Sequence, residues 1–213
     1  MTEAANIKPA YWDDAVAQLM RRDRILRKII PQYAHTHLTA PLATPFHSLA
    51  RAVLGQQISV KAADAIWQRL NQSCNPRLTP AAIAGLGVDG LRTVGLSQRK
   101  AEYVLDLARH FSEGLLQPEG WPELEDEAII TELTAIRGIG RWTAEMFLIF
   151  NLRRPDVLPL DDLGLMKAIS LHYFSGEPVS RFEAREVAQA WQPWSTVASW
   201  YLWRSLNPVA VEH

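Results

Sequence analysis

Apolar residues recur at helical spacing along almost the whole chain of 213 residues. One series runs from about Tyr11 to Ile30 and another from Phe46 to Leu70, and later series flank Gly95 and Gly138. No alternation typical of a β-strand reaches useful length. The sequence therefore predicts an all-α fold with short connections, including one helix over residues 11–30.

The charge balance argues at first against nucleic acid as a partner. The chain has 22 Lys+Arg and 23 Asp+Glu, a formal net charge of -1, whereas electrostatic nucleic-acid binders usually have a basic excess. The single cysteine, Cys74, excludes an internal disulfide and four-cysteine metal sites, and it fits a reducing cytosol. With no signal-peptide pattern and no apolar stretch long enough to cross a bilayer, we expect a cytoplasmic protein without membrane contact.

Two glycines define the most specific motif, LTAIRGIGRWTA at Leu133–Ala144. Gly138 suits a helix C-cap with positive φ, Ile139 would plug between two helices, and Gly140 would start the second helix without a Cβ. The amides that follow Gly140 would lie at a helix N-terminus, which binds phosphate with few charges. An ordinary glycine-rich turn is the alternative for a bare G-x-G, but the flanking apolar anchors make this pattern more specific.

This segment resembles the helix–hairpin–helix of the DNA glycosylase superfamily that includes endonuclease III. In that superfamily a catalytic aspartate follows the hairpin, with an apolar residue three positions on and a basic residue five positions on. Asp162 meets this spacing with Leu165 and Lys167, and Asp161 meets it less well. The resemblance covers about residues 12–207.

The resemblance implies a helix–hairpin–helix glycosylase fold over residues 1–213, as a single glycosylase unit. Residues 45–154 would form a central helical subdomain that ends in the hairpin. Residues 1–44 and 155–213 would form a second helical subdomain, with the cleft for DNA and the base between the two.

Several segments are similar to the alkylation-repair branch, the 3-methyladenine DNA glycosylase II enzymes, in a compact form without their N-terminal β domain. They are GQQIS at 55–59, GLSQRKAEYV at 95–104, GIGRWTAEMF at 138–147, LDDLGL at 160–165 and WQPWSTVASWYLWR at 191–204. Trp142 stands where bifunctional members carry a lysine that forms a Schiff base. No lysine lies between Lys100 and Lys167, so the resemblance implies a monofunctional enzyme without lyase activity.

Asp162 is the candidate catalytic residue. A carboxylate beside C1′ would stabilise an oxocarbenium-like sugar and orient or deprotonate the attacking water. An N-cap of the helix that begins at Leu163 is the alternative role. The two roles are compatible because a helix N-terminus favours negative charge. We expect Asp161 to be a cap or an orienting residue.

The resemblance also implies how the damaged base is reached. Gln57 matches the residue that inserts into the base stack when a nucleotide flips out; its alternative is an exposed polar residue at a helix junction. Trp142 and Trp203 match aromatic residues of the base pocket, where indole faces attract a cationic purine. Met146 occupies a position that is Tyr in a relative, which bears on the substrate range, and core packing is the alternative for each tryptophan.

The predicted contacts to the DNA backbone are Gly138, Ile139, Gly140, Arg141, Thr143 and Lys100. A solvated basic face is the alternative for Lys100 and Arg141. Ser195 stands where relatives often have Arg. The histidines have no ligand spacing, so we expect no catalytic metal and no cofactor, although the resemblance implies that hairpin carbonyls can hold a monovalent cation.

The predicted function is excision of alkylated purines, of the 3-methyladenine and 7-methylguanine type, from double-stranded DNA by a monomer. The alternatives are another base specificity (ethenoadenine, hypoxanthine or uracil), a non-catalytic helix–hairpin–helix DNA-binding protein, and a helical scaffold with a chance motif.

Charged residues are unevenly distributed along the chain, so the net charge alone does not argue against DNA as a partner. Residues Glu113 to Glu132 include seven acidic residues and no Lys or Arg, so the remainder of the chain carries a net charge of +6. We expect this acidic segment to face away from the duplex. We also expect DNA affinity to decrease only slightly as the salt concentration rises.

Overall fold

The computed structural model describes residues 7–41, 43–74 and 76–206, and no β-strand occurs within these ranges. The α-helices are α1 Trp12–Arg22, α2 Leu26–Ile29, α3 Pro45–Gly55, α4 Val60–Ser73, α5 Pro80–Thr93, α6 Gln98–Ser112, α7 Asp126–Thr134, α8 Arg141–Phe150, α9 Leu163–Tyr173, α10 Arg181–Ala188 and α11 Ser195–Leu206. Short 3-10 helices occupy Ile30–Tyr33, Pro118–Glu123 and Gln189–Trp191. The predicted all-α class is confirmed. Over this part of the chain, no helix combines the length and the apolar character that crossing a bilayer requires.

Many helices begin where a short polar side chain can accept a hydrogen bond from the first turn. Side chains cap six of them in this way: Thr44, Ser59, Thr79, Ser97, Asp162 and Ser180. The predicted breaks at Gly95 and at Gly138-Ile139-Gly140 fall between helices, as expected.

The prediction of one helix over residues 11–30 is wrong, because the chain turns at Asp23. Its carboxylate accepts hydrogen bonds from the amides of Ile25 and Leu26 at 2.7 and 3.0 Å. The other carboxylate oxygen accepts from Tyr173 and Trp191 at 2.7 and 3.0 Å. This buried network ends α1 and starts α2, and nothing in the apolar spacing signals it.

The chain forms two compact units. The central unit is Ala43–Phe147, and the terminal unit combines the chain on both sides of it. The second boundary lies inside α8, because that helix runs without a break past residue 147.

Each unit has its own core. In the central unit, α6 packs against α3 and α5, with Leu54, Ile83 and Val104 fully buried. In the terminal unit, α11 packs against α1, α2 and α9. Trp12 and Tyr201 are buried there and share a hydrogen bond of 3.2 Å.

Candidate functional site

In the central unit, a short loop between α3 and α4 carries Gln57. This residue has φ of 59° although it is not glycine, a conformation that costs an L-residue about 1 kcal/mol. Gln57 and Ile58 are both exposed. The side chains of Gln57 and Ile58 therefore both extend outward from the loop. A residue that inserts into a base stack must be exposed in this way.

Lys100 contacts the protein's own backbone. Its ammonium donates hydrogen bonds to the carbonyl oxygens of Leu54 and Gln56, at 2.8 and 2.5 Å. Burial lowers the pKa of this ammonium. The predicted contact of Lys100 with a DNA phosphate would have to compete with these two bonds.

The hairpin between α7 and α8 is built as the sequence predicts. Gly138 has φ of 88°, and a Cβ at this position would lie 2.2 Å from the Tyr103 ring. Ile139 is buried, and its amide donates to the carbonyl of Ile136 at 3.1 Å. Gly140 is exposed, with open space where a Cβ would be. Close packing thus requires glycine at 138, whereas 140 is open to the outside.

Three residues that the sequence analysis missed support this hairpin. The Gln56 side-chain amide donates to the Gly138 carbonyl at 2.9 Å. Asp106 accepts from the Arg137 amide at 2.9 Å, and Tyr103 fills the space beside Gly138. Tyr103 and Asp106 are three residues apart, on one face of α6, and this spacing is the signal that could have revealed them.

The carboxylate of Asp106 is stabilised by its setting. Partial burial raises the pKa of Asp106, but hydrogen bonds from Arg137 and Arg109, with the charges of His110 and Arg109, outweigh that effect. The pKa therefore lies below its ordinary value, and Asp106 remains an acceptor for the hairpin amide in mild acid.

The first residues of α8 divide into exposed and buried positions. Trp142 is 44% exposed, and Met146, one turn later, is partly exposed. Thr143 is buried, so its side chain faces the protein, and only its backbone fits the predicted contact with DNA.

Arg141, the first residue of α8, is engaged by acidic side chains. Its guanidinium pairs with both carboxylate oxygens of Glu127 and lies 3.0 Å from an oxygen of Glu145. The hydrogen bond to Glu127, aided by the charges of Glu127 and Glu145, raises the pKa of Arg141. Glu127 belongs to the acidic segment, so one carboxylate of that segment lies beside the start of α8 and is paired with Arg141.

In the terminal unit, Asp162 has the N-cap role considered for it from the sequence. It is the N-cap of α9, and its Oδ1 accepts from the Leu165 amide at 2.6 Å. The same oxygen accepts from the Trp203 indole N–H at 2.8 Å. The helix N-terminus and the indole therefore fix a carboxylate that is only partly buried.

Trp203 is itself held in place by an aromatic neighbour. Its ring stacks on Phe150, with centroids 5.9 Å apart and planes 23° from parallel. Phe150 stands two helical turns after Trp142 on α8, and no motif in the sequence points to it. The stacking orients the indole so that its N–H reaches Asp162.

Asp161 and Ser195, two further positions considered from the sequence, both have partners within the terminal unit. Asp161 is exposed and pairs with Arg181 at 2.5 Å, which favours a structural role over a chemical one. Ser195 is buried, and its amide and hydroxyl both donate to Asp156, at 3.0 and 2.5 Å. At this position the serine therefore has an internal partner in Asp156.

The predicted functional groups are a carboxylate, indoles and backbone amides. Among the residues that the structure describes, no three His, Cys, Asp or Glu side chains are grouped as a metal site requires. A carboxylate held by an indole can stabilise positive charge that develops on a substrate and can accept a proton from water.

Comparison with known proteins gives a consistent family. Residues 50–193 match the model of the HhH-GPD superfamily base excision DNA repair protein. DNA-3-methyladenine glycosylase 1 of Schizosaccharomyces pombe is 37% identical over 76% of this chain and 72% of its own length. YfjP of Bacillus subtilis is 33% identical over 85% of this chain, which spans 66% of that protein.

Solved structures agree. A DNA-3-methyladenine glycosidase from Bacillus halodurans superposes with a TM-score of 0.83 and 35% identity, over 91% of this chain and 89% of that one. The 3-methyladenine DNA glycosylase of S. pombe in complex with abasic DNA gives a TM-score of 0.78 and 31% identity, over 94% of this chain and 99% of that one.

Proposed function

Because the chain belongs to the HhH-GPD superfamily of base excision DNA repair proteins, we propose that it is a monofunctional DNA glycosylase for alkylated purines. The lesions would be of the 3-methyladenine and 7-methylguanine type, in double-stranded DNA. The observation that carries the proposal is the Asp162 carboxylate at the start of α9, held by Trp203. The names of the relatives from S. pombe supply the substrate class.

The chemistry suits a single carboxylate. Alkylation at N3 or N7 gives the purine a positive charge, so when the C1′–N bond breaks its electron pair leaves with a neutral base. The sugar then carries positive charge, which Asp162 would stabilise. Water adds to C1′ and gives up a proton through Asp162 to solvent, which leaves an abasic site.

Trp142 supports hydrolysis over lyase chemistry. A lyase needs an amine that forms a Schiff base with C1′, and the chain has an indole at the position of that lysine. Water is then the nucleophile, and the strand would remain intact after base release.

The predicted contacts with DNA complete the proposal. Gln57 would fill the gap left by the flipped base, and Trp142, Met146 and Trp203 would bind that base. Amides after Gly140 would bind a phosphate. Carbonyl oxygens of the hairpin would hold the monovalent cation that the resemblance implies, and its charge would strengthen the attraction to that phosphate.

The decisive experiment incubates the protein with duplex DNA methylated by a simple alkylating agent and identifies any free base and any strand break. We expect release of 3-methyladenine or 7-methylguanine, with strand breaks only after alkali. Strand cleavage without alkali would overturn the monofunctional assignment.

A panel of modified duplexes separates the alternatives. Release of hypoxanthine, ethenoadenine or uracil, without methylated purines, would replace the proposed specificity. Binding without release of any base would indicate a non-catalytic DNA-binding protein. We further propose a monomer that acts on nucleoid DNA in the cytoplasm, and sedimentation of the protein with and without DNA tests the oligomeric state.

A further inference from the structure

The loop that carries Gln57 borders an open cavity. An open cavity of about 300 Å³ is lined on one side by Gln56, Gln57 and Ile58, and elsewhere by residues that include Ser97 and Lys100. Gln57 itself is exposed and in the left-handed region. Open space borders this loop, and polar contacts made by Lys100 and Gln56 hold the residues before Gln57.

Lys100 supplies two of those contacts. The carbonyls of Leu54 and Gln56 lie at the C-terminal end of α3, where a helix has no donors of its own for its last acceptors. The Lys100 ammonium donates to both, and a cation there also suits the helix dipole. The backbone of Lys100 lies in the first turn of α6, where its amide donates to the Ser97 cap at 3.3 Å.

Gln56 supplies the second anchor. Its side chain donates to the Gly138 carbonyl at 2.9 Å, which connects the loop to the hairpin. Residues 54–56 are therefore fixed on two sides immediately before Gln57, whose backbone has no glycine-like freedom. Loss of either anchor would change the direction in which Gln57 projects.

We infer that Lys100 is a positioning residue for Gln57: its ammonium fixes the end of α3 so that Gln57 projects in the orientation needed to enter the base stack. The inference rests on the proposed function. It replaces the predicted phosphate contact, because the ammonium that such a contact would use is bonded to two carbonyls in the protein.

The test compares Lys100→Met with Lys61→Met, a matched control at an exposed lysine in the same unit. Single-turnover base release is measured on methylated duplex. Binding to undamaged and abasic duplexes is measured over a range of salt concentrations. Insertion is monitored by the fluorescence of 2-aminopurine placed next to the abasic site.

Positioning and phosphate contact predict different results. For positioning, K100M lowers base release about tenfold or more and reduces the 2-aminopurine signal, while its salt slope stays that of the wild type. A phosphate contact instead lowers the salt slope by about one and weakens binding to all sequences equally. That second result would overturn the inference.

A double-mutant cycle adds a readout that general damage would not mimic. If Lys100 acts through Gln57, K100M has little further effect on release in a Gln57→Ala background. Additive effects would contradict the inference. If K100M does not fold, Lys100→Arg decides: it keeps the charge but alters the donor geometry, so positioning predicts reduced release and a phosphate contact predicts full activity.

Failure of the proposed function is distinguishable from failure of this inference. If the wild type releases no base from any duplex, the proposed activity is wrong, but the 2-aminopurine signal on abasic duplex still reports whether Lys100 controls Gln57. If the wild type releases base and K100M matches K61M in rate and fluorescence, only the inference fails.

Discussion

Helices α8 and α9 begin in opposite ways, one without a side-chain cap and the other with a charged one. Gly140, which precedes α8, has no side chain to accept hydrogen bonds from the first turn and is open to the outside. Asp162, which precedes α9, supplies its own carboxylate to the Leu165 amide. The N-terminus of α8 thus has no side-chain cap from Gly140, whereas the N-terminus of α9 holds the carboxylate of its own cap residue.

A third helix start shows what a purely structural one looks like. Ser97 caps α6 with a neutral hydroxyl, after a turn at Gly95 whose φ of 110° parallels that of Gly138. The segments 91–101 and 133–144 therefore share one turn design. They differ in the residue that precedes the second helix: Ser97 accepts from the Lys100 amide, whereas Gly140 has no side chain that could do so.

Removal of the charge on Asp162 should have the largest effect. Asp162→Asn keeps an N-cap and an oxygen that accepts from Trp203, so the fold and DNA binding should persist. Base release should fall by about 10²–10⁴-fold. Single-turnover release of 3-methyladenine measures it, with Asp161→Asn as the neighbouring control. Robust release by D162N would show that α9 begins with a structural cap only.

Trp203→Phe is the next most severe change. It removes the N–H that Asp162 accepts but keeps an aromatic ring against Phe150. A hydrogen bond to a charged group contributes about 1.5–3 kcal/mol, so kcat should fall at least tenfold with the fold intact. Trp200→Phe on the same helix is the control, since its indole donates to Thr36. An unchanged kcat for W203F would remove the indole from the catalytic arrangement.

Giving α8 the kind of cap that α9 has tests the comparison directly. Gly140→Asp fits sterically, and its thermal stability should stay level or rise by a few tenths of a kcal/mol. DNA affinity should fall about tenfold, because the new carboxylate would face a phosphate. Gly120→Asp adds the same charge where a Cβ also meets open space, and its affinity should match the wild type. Equal affinity for all three proteins would exclude the start of α8 from the DNA interface.

Local rules account for what could be predicted from the sequence. The cap residue Asp162 and the glycine turn at 138 depend on a few neighbouring residues. Because only a few residue types suit a helix cap or a turn with positive φ, the local sequence pattern identifies such positions.

Pairings between distant residues account for what could not. Gln56 and Gly138 are 82 residues apart, and Arg141 and Glu127 are 14 apart. The side chains of Gln56, Arg141 and Glu127 could also extend into solvent. The spacing of residues in the sequence therefore does not distinguish the paired state from the exposed one. The internal partners of Lys100 and Arg141 could therefore be identified only from the folded structure.

The smallest expected effect concerns Arg141, the one charged side chain at the start of α8. Glu127→Gln weakens its main ion pair, and since exposed pairs contribute about 0–1 kcal/mol, stability should change little. If the guanidinium then turns to a phosphate, DNA affinity should rise severalfold and the salt slope should steepen by up to about one. Glu123→Gln removes an equal charge from the same acidic segment and controls for the general field. Identical salt slopes for E127Q and E123Q would show that the start of α8 binds DNA through its backbone amides, without a contribution from the Arg141 guanidinium.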